Sequence, residues 1–175
     1  MQWAWLLSIQ PNFLGARVIA AASSPERLAV AKEHGADAGI DYSTAPIKEA
    51  VMDCTDGRGV NVAFDPVKGP LYQNVLGSLD WGGRYVIIGF AGGGIPQIPS
   101  NRLLVKNRRA LGMVMPYCRC HRPELMQRTV ETLFQWYEAG KIRPHITRTG
   151  PLEKARDFLV AIMGRKLIGR AILEI

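Results

Sequence analysis

The chain has 175 residues, 47% of them hydrophobic and 21% charged, with 18 glycines and 11 prolines. That balance describes an ordinary soluble globular protein, and a length of this order predicts one domain that buries roughly two-thirds of its unfolded surface. No stretch approaches the ~20 apolar residues of a membrane span, and apolar residues 1–7 lack the basic start and cleavage pattern of a signal peptide. Cys54, Cys118 and Cys120 make no disulfide framework, which points to a reducing, cytoplasmic setting. The net charge of +7 favours anionic partners. The basic residues are scattered, however, which suits a phosphate-bearing small ligand better than a nucleic acid.

In chain order, residues 17–22 read as a buried strand. Ser23-Ser24-Pro25-Glu26 then supplies a hydroxyl N-cap, a proline at the first helical position and an acid in the first turn, and Gly35 ends the helix. A brief strand over 38–41, a short helix over 46–54 and a strand over 60–64 follow, the last stopped by Asp65-Pro66. Leu71, Val75, Leu76 and Leu79 recur at helical spacing over 70–79. Tyr85-Val86-Ile87-Ile88 is apolar on both faces, as strands inside covered parallel sheets are. A short helix over 98–105, a strand over 110–115, amphipathic helices over 124–139 and 152–163, and a closing strand over 167–173 complete the series. Strands separated by helical stretches predict βαβ units, hence an α/β fold with a parallel sheet and flanking helices.

In such a sheet, ligands sit beyond the carboxyl ends of the strands. After the first strand come Ser23, Ser24 and Arg27, where a fold preferring NAD places an acid for the ribose hydroxyls. Two hydroxyls, a guanidinium and a helix N-terminus all donate to an anion and suit a 2′-phosphate. They equally suit a plain helix cap beside a solvated charge. Tyr42 could add a donor after the second strand, or serve as a half-buried aromatic. The glycine-rich run Gly89-Phe90-Ala91-Gly92-Gly93-Gly94 follows the most apolar strand, and Asp65-Pro66-Val67-Lys68-Gly69 holds the equivalent place one strand earlier. Cys118-Arg119-Cys120-His121 has the wrong spacing for a zinc knuckle, and His34 and His145 lie far apart in sequence without partners.

Taken in order, Gly15-Ala16-Arg17-Val18-Ile19-Ala20, Gly35-Ala36-Asp37, Asp41-Tyr42, Phe64-Asp65-Pro66-Val67, Gly82-Gly83-Arg84, Ile88-Gly89-Phe90-Ala91 and Gly140-Lys141-Ile142-Arg143-Pro144 carry a resemblance. From about Gly15 to Ile175 the chain resembles the C-terminal, nucleotide-binding half of medium-chain dehydrogenase/reductases, in their zinc-independent NADPH:quinone oxidoreductase-like branch. The resemblance implies NADPH as cofactor, with its 2′-phosphate held by Ser23, Ser24, Arg27 and Tyr42. It also implies that Phe90 and Ala91 lie on the nicotinamide side and that Arg165 approaches the cofactor. The implied reaction is hydride transfer to a quinone or other conjugated carbonyl, and the strand at 110–115 is implied to pair across a homodimer.

Departures from that family are concentrated at the start. Residues 1–14 stand where the family has its first strand and glycine-rich pyrophosphate turn, and residues 1–13 contain no glycine. The expectation is a Rossmann-like domain over 15–175, truncated at its N-terminal βα unit, with residues 3–9 apolar enough to substitute for the first strand. The family's N-terminal substrate domain is also absent from the resemblance, and Lys68 replaces a usual glycine. These departures predict a quinone oxidoreductase-like protein that is impaired or inactive as this isolated chain. The alternative is a non-catalytic family member acting through self-association or anion binding.

Overall fold

The computed structural model describes residues 14–66, 69, 71–90, 95, 97–164 and 166–175. Residues 3–9, Lys68, Ala91 and Arg165 therefore lie outside the described residues. The described elements run β1 (Ile19–Ala22), α1 (Pro25–Glu33), β2 (Ala38–Asp41), α2 (Ile47–Cys54), β3 (Val60–Asp65), α3 (Tyr72–Gly77) and β4 (Leu79–Ile87). They continue with α4 (Ser100–Leu104), β5 (Arg109–Gly112), α5 (Met115–His121), α6 (Pro123–Glu138), β6 (Ile146–Pro151), a 3-10 turn (Leu152–Lys154), α7 (Ala155–Met163) and β7 (Arg170–Glu174). Every described strand pairing is parallel: β1 with β2, β3 with β4 and β4 with β5, and β6 with β7. The fold is α/β and Rossmann-like, as the alternation of apolar runs and helical periods predicts.

Local chemistry explains why the units close. Helix α1 starts where Pro25 needs no N–H partner. Ala31 packs with Ala20 and Ala36, and these small side chains let the helix lie close to β1. The Asp37 N–H donates to the Val18 carbonyl at 2.9 Å, and the Val18 N–H donates to the Asp37 carboxylate at 2.6 Å. Gly35-Ala36-Asp37 is thus the clasp that returns the chain from α1 to the sheet. At the end of α2, the Thr55 hydroxyl donates to the Val51 carbonyl at 2.7 Å and accepts the Gly59 N–H at 2.9 Å. Gly59 enters β3 at φ +91°, and a Cβ there would stand 2.5 Å from the Ser78 carbonyl oxygen.

Two apolar clusters carry the centre. Ala63, Leu76, Leu79 and Tyr85 are buried together, with Val75, Ile87 and Leu103 packed around them. Full burial of Leu76 and Leu79 contributes roughly 1.5–3 kcal/mol each. A second cluster of Ile40, Ile47 and Val51 draws in Ile19 and Tyr42 from one side and Val60, Leu71 and Val75 from the other. Helix α2 thereby joins the β1–β2 pair to the β3–β4–β5 sheet.

Four local expectations are corrected. The helix predicted over 70–79 stops at Gly77: the Ser78 hydroxyl donates to the Val75 carbonyl at 2.8 Å, the Ser78 carbonyl accepts the Val60 N–H at 3.0 Å, and Leu79 opens β4. The strand predicted over 110–115 ends at Gly112, because Pro116 suits the first turn of α5 and cannot donate to a ladder. Residues 118–121 are consequently helical, with the Tyr117 and His121 rings stacked. β6 was not anticipated at all; Ile146 to Pro151 has no apolar run and becomes a strand by pairing with β7. Finally, His34 and His145 do meet, edge to face with centroids 5.3 Å apart, where the end of α1 touches the approach to β6.

Candidate functional site

The carboxyl ends of β1 and β2 form one corner. Ala22 and Asp41 are direct partners across the parallel pair, and the Tyr42 N–H donates to the Ala22 carbonyl at 3.0 Å. Tyr42 therefore follows β2 at the level where Ser23 and Ser24 follow β1. Arg27, half-buried, stands in the first turn of α1 immediately beyond Ser24. Tyr42 has a second role, since its ring packs against the Ile40, Ile47 and Val51 cluster. The fold thus brings Ser23, Ser24, Arg27 and Tyr42 to one place.

Two carboxylates share that corner. Asp41 accepts both the N–H and the hydroxyl of Ser43, at 2.9 and 2.6 Å, and so shapes the turn that presents Tyr42. Glu26 was noticed in the sequence only as a helix-start acid. Hydrogen bonding from Ser24 holds its carboxyl below the usual range, its own backbone N–H adds to this, and the charge of Asp41 opposes it. The Ser24 side chain makes no hydrogen bond to the helix backbone, and it acts instead on the Glu26 carboxyl. No sequence signal singles out this couple, because a serine and an acid at a helix start equally suit a plain cap and first turn.

Phe90 lies on a different strand end. It follows β4, 45% exposed, while a Cβ built on Gly89 would sit 3.7 Å from the Pro66 carbonyl. The ends of β3 and β4 are thus side by side, as the register Asp65↔Ile87 requires. Beneath them, Asp65 is buried and accepts the Tyr85 hydroxyl at 2.6 Å. Burial first, then the hydrogen bond and charge of Asp65, push the Tyr85 phenol far above its usual range. This pair, twenty residues apart, had no local signature in the sequence. It fixes the strand ends that carry Pro66 and Phe90.

Among the described residues, no group of three or more His, Cys, Asp or Glu side chains is placed to hold a metal ion, and no helix is long and apolar enough to cross a membrane. Donors at the β1–β2 corner, together with an N-terminal helix turn, fit a nucleotide phosphate, with Glu26 and Asp41 as the opposing charges.

Residues 12–136 match the family model described as zinc-binding dehydrogenase. Quinone oxidoreductase-like protein 2 of Rattus norvegicus is 37% identical over 170 residues, covering 97% of this chain and 49% of the relative. The quinone oxidoreductase of Pseudomonas aeruginosa is 28% identical over 98% of this chain and 51% of its own length. The chain thus spans about half the length of the curated relatives it matches. Among solved structures, a quinone oxidoreductase of Pseudomonas syringae superposes with TM-score 0.84 at 25% identity, over 97% of this chain and 53% of that one. A mycobacterial protein solved in complex with NADPH superposes with TM-score 0.84 at 25% identity, over 97% of this chain and 54% of that one. The chain belongs to the zinc-binding dehydrogenase family, in the quinone oxidoreductase-like branch of the medium-chain dehydrogenase/reductases, and carries the Rossmann-like nucleotide-binding half.

Proposed function

We propose that this chain grips the adenosine end of NADPH in a cytoplasmic quinone oxidoreductase-like protein that acts on a quinone or conjugated carbonyl without zinc. The observation that carries the reading is the meeting of Ser23, Ser24, Arg27 and Tyr42 at adjacent parallel strand ends, tied by the Tyr42 N–H to the Ala22 carbonyl. The mycobacterial structure solved with NADPH supports the choice of cofactor. NADPH, when bound, supplies a hydride from its dihydronicotinamide ring; the protein's share is orientation and electrostatics. Ser23, Ser24 and Tyr42 offer hydroxyl donors to the 2′-phosphate, and Arg27 offers a charged one. Phe90 lies towards the nicotinamide; Ala91 and Arg165 belong to the same reading as cofactor neighbours. Because residues 1–13 contain no glycine to bring backbone close to a pyrophosphate, the isolated chain turns over quinone poorly.

The test is calorimetric titration with NADPH and with NADH, on the wild type and Arg27→Ala. NADPH binds more tightly, and Arg27→Ala weakens NADPH by roughly tenfold or more while leaving NADH little changed. Equal affinity for the two cofactors, or discrimination that survives Arg27→Ala, would refute the 2′-phosphate site.

A second reading, a non-catalytic family member that self-associates as a homodimer, is favoured by one observation. β5 is the edge of its sheet, and Leu111, Met113, Val114 and Met115 on and after it are exposed. Sedimentation would show a concentration-dependent dimer that Leu111→Lys abolishes; a wild-type monomer at high concentration would end that reading.

A further inference from the structure

Away from the dinucleotide corner, one shallow groove combines apolar surface with unbalanced positive charge. It lies at the amino ends of β4 and β5, opposite the end that carries Phe90, and its lining includes Trp81, Leu103, Leu104, Asn107, Arg108 and Arg109. Its walls are tied together. The Gly82 N–H donates to the Lys106 carbonyl at 2.8 Å, and the Arg108 guanidinium donates to the carbonyls of Gly77, at 3.3 Å, and Leu79. Within this frame Trp81 is 67% and Leu104 77% exposed. Large apolar side chains held open on a fixed frame are the usual form of a recognition surface.

The charge is one-sided. The described lining carries Arg108 and Arg109 and no carboxylate; Arg102 acts on Arg108, Lys106 is tied to Gly82 through its carbonyl, and the neighbouring Asp80 already accepts the Trp81 backbone N–H at 2.6 Å. Burial, and then the charge of Arg102, hold the Arg108 guanidinium below its usual range, with Asp80 acting the other way. The Arg108 Nε–H is buried with no hydrogen-bond partner among the described residues. An anion over the groove would relieve this crowding.

We propose that the groove docks an extended acidic peptide segment of a partner protein. An apolar side chain of the segment seats against Trp81 and Leu104, and its carboxylates meet Arg102, Lys106 and Arg109. The apolar leucines decide for a peptide over a nucleic acid, because single strands are held by successive stacking aromatics and the groove offers one among the described residues. The site is independent of the NADPH reading, since it lies at the other end of the strands.

The experiment is fluorescence anisotropy of a fluorescein-labelled peptide alternating glutamate and leucine, titrated with the full chain at low salt. Saturable binding is expected, weakened roughly tenfold or more by Trp81→Ala and by Arg102→Glu with Arg109→Glu, and retained in Trp81→Phe. Circular dichroism shows that each variant folds, and NADPH does not displace the peptide. The proposal is overturned by the absence of saturation or by equal binding of a lysine–leucine peptide. It also fails if Arg148→Glu on β6 weakens binding as much as the groove variants, since overall charge would then explain it. More effective displacement by oligouridylate would make the groove a nucleic-acid site instead. Dimerisation that excludes the peptide would make a second copy its occupant.

Discussion

Replacing Tyr85 by phenylalanine removes one oxygen from a fully buried side chain and leaves the ring in place. The lost group is a donor, 2.6 Å from the Asp65 carboxylate, within the short range of charge-assisted O–H···O bonds. A hydrogen bond to a charged acceptor is worth about 1.5–3 kcal/mol, and the buried Asp65 cannot recover the lost donor from bulk water. The expected cost of Tyr85→Phe is therefore about 1.5–3 kcal/mol, a large part of a typical domain's roughly 5–15 kcal/mol. Urea unfolding followed by circular dichroism reads this as a lower midpoint at unchanged slope. The pH dependence supplies a second signature. The folded phenol titrates far above the unfolded one, chiefly because it is buried. Its contribution is therefore fully present below the unfolded value of about 10 and is lost as pH rises beyond it, by up to about 1.4 kcal/mol per pH unit. Tyr85→Phe should remove that alkaline decline. A variant within about 0.5 kcal/mol of wild type and with the same alkaline limb would refute the account of this pair.

Glu26→Gln weakens the hold on the Ser24 hydroxyl and removes a negative charge from the β1–β2 corner; calorimetry should show tighter NADPH binding and little change for NADH. Glutamate is ionised at neutral pH even at its usual pKa, and that of Glu26 is lowered further, so this gain should hold across neutral pH. Gly59→Ala forces a side chain into φ +91° and against the Ser78 carbonyl. Strain of roughly 1–3 kcal/mol plus that clash should lower the thermal midpoint by several degrees, whereas Gly57→Ala at φ +75° meets nothing within 4 Å and should cost less.

Much of the candidate site could be listed from the sequence but not placed. Ser23, Ser24 and Arg27 could be named because a strand, a cap and a first helical turn are local, and a short window contains them all. Glu26 stood in the same window and was assigned only to the helix start, since composition does not say which way its carboxyl turns. Tyr42 could be suspected, but its position beside Ser23 depends on β2 pairing in parallel with β1 at the register Ala22↔Asp41. The contact of His34 with His145 and the hydrogen bond from Tyr85 to Asp65 join residues that no short window contains.

The amino-acid sequence alone determined the α/β class, because the alternation of apolar strands with helical periods is written in spacings of a few residues. It determined the start of α1, where Pro25 acts on its own backbone, and it carried the family resemblance over most of the chain. Tertiary structure decided the rest. β6 exists because β7 supplies its partners, α3 stops where Ser78 turns towards Val60, and the strand after Arg109 gives way to α5 at Pro116. The physical reason is range. Helical periodicity, capping and proline geometry act within about one helical turn, whereas strand pairing and buried polar couples form only when distant segments meet and their hydrogen bonds are completed away from water.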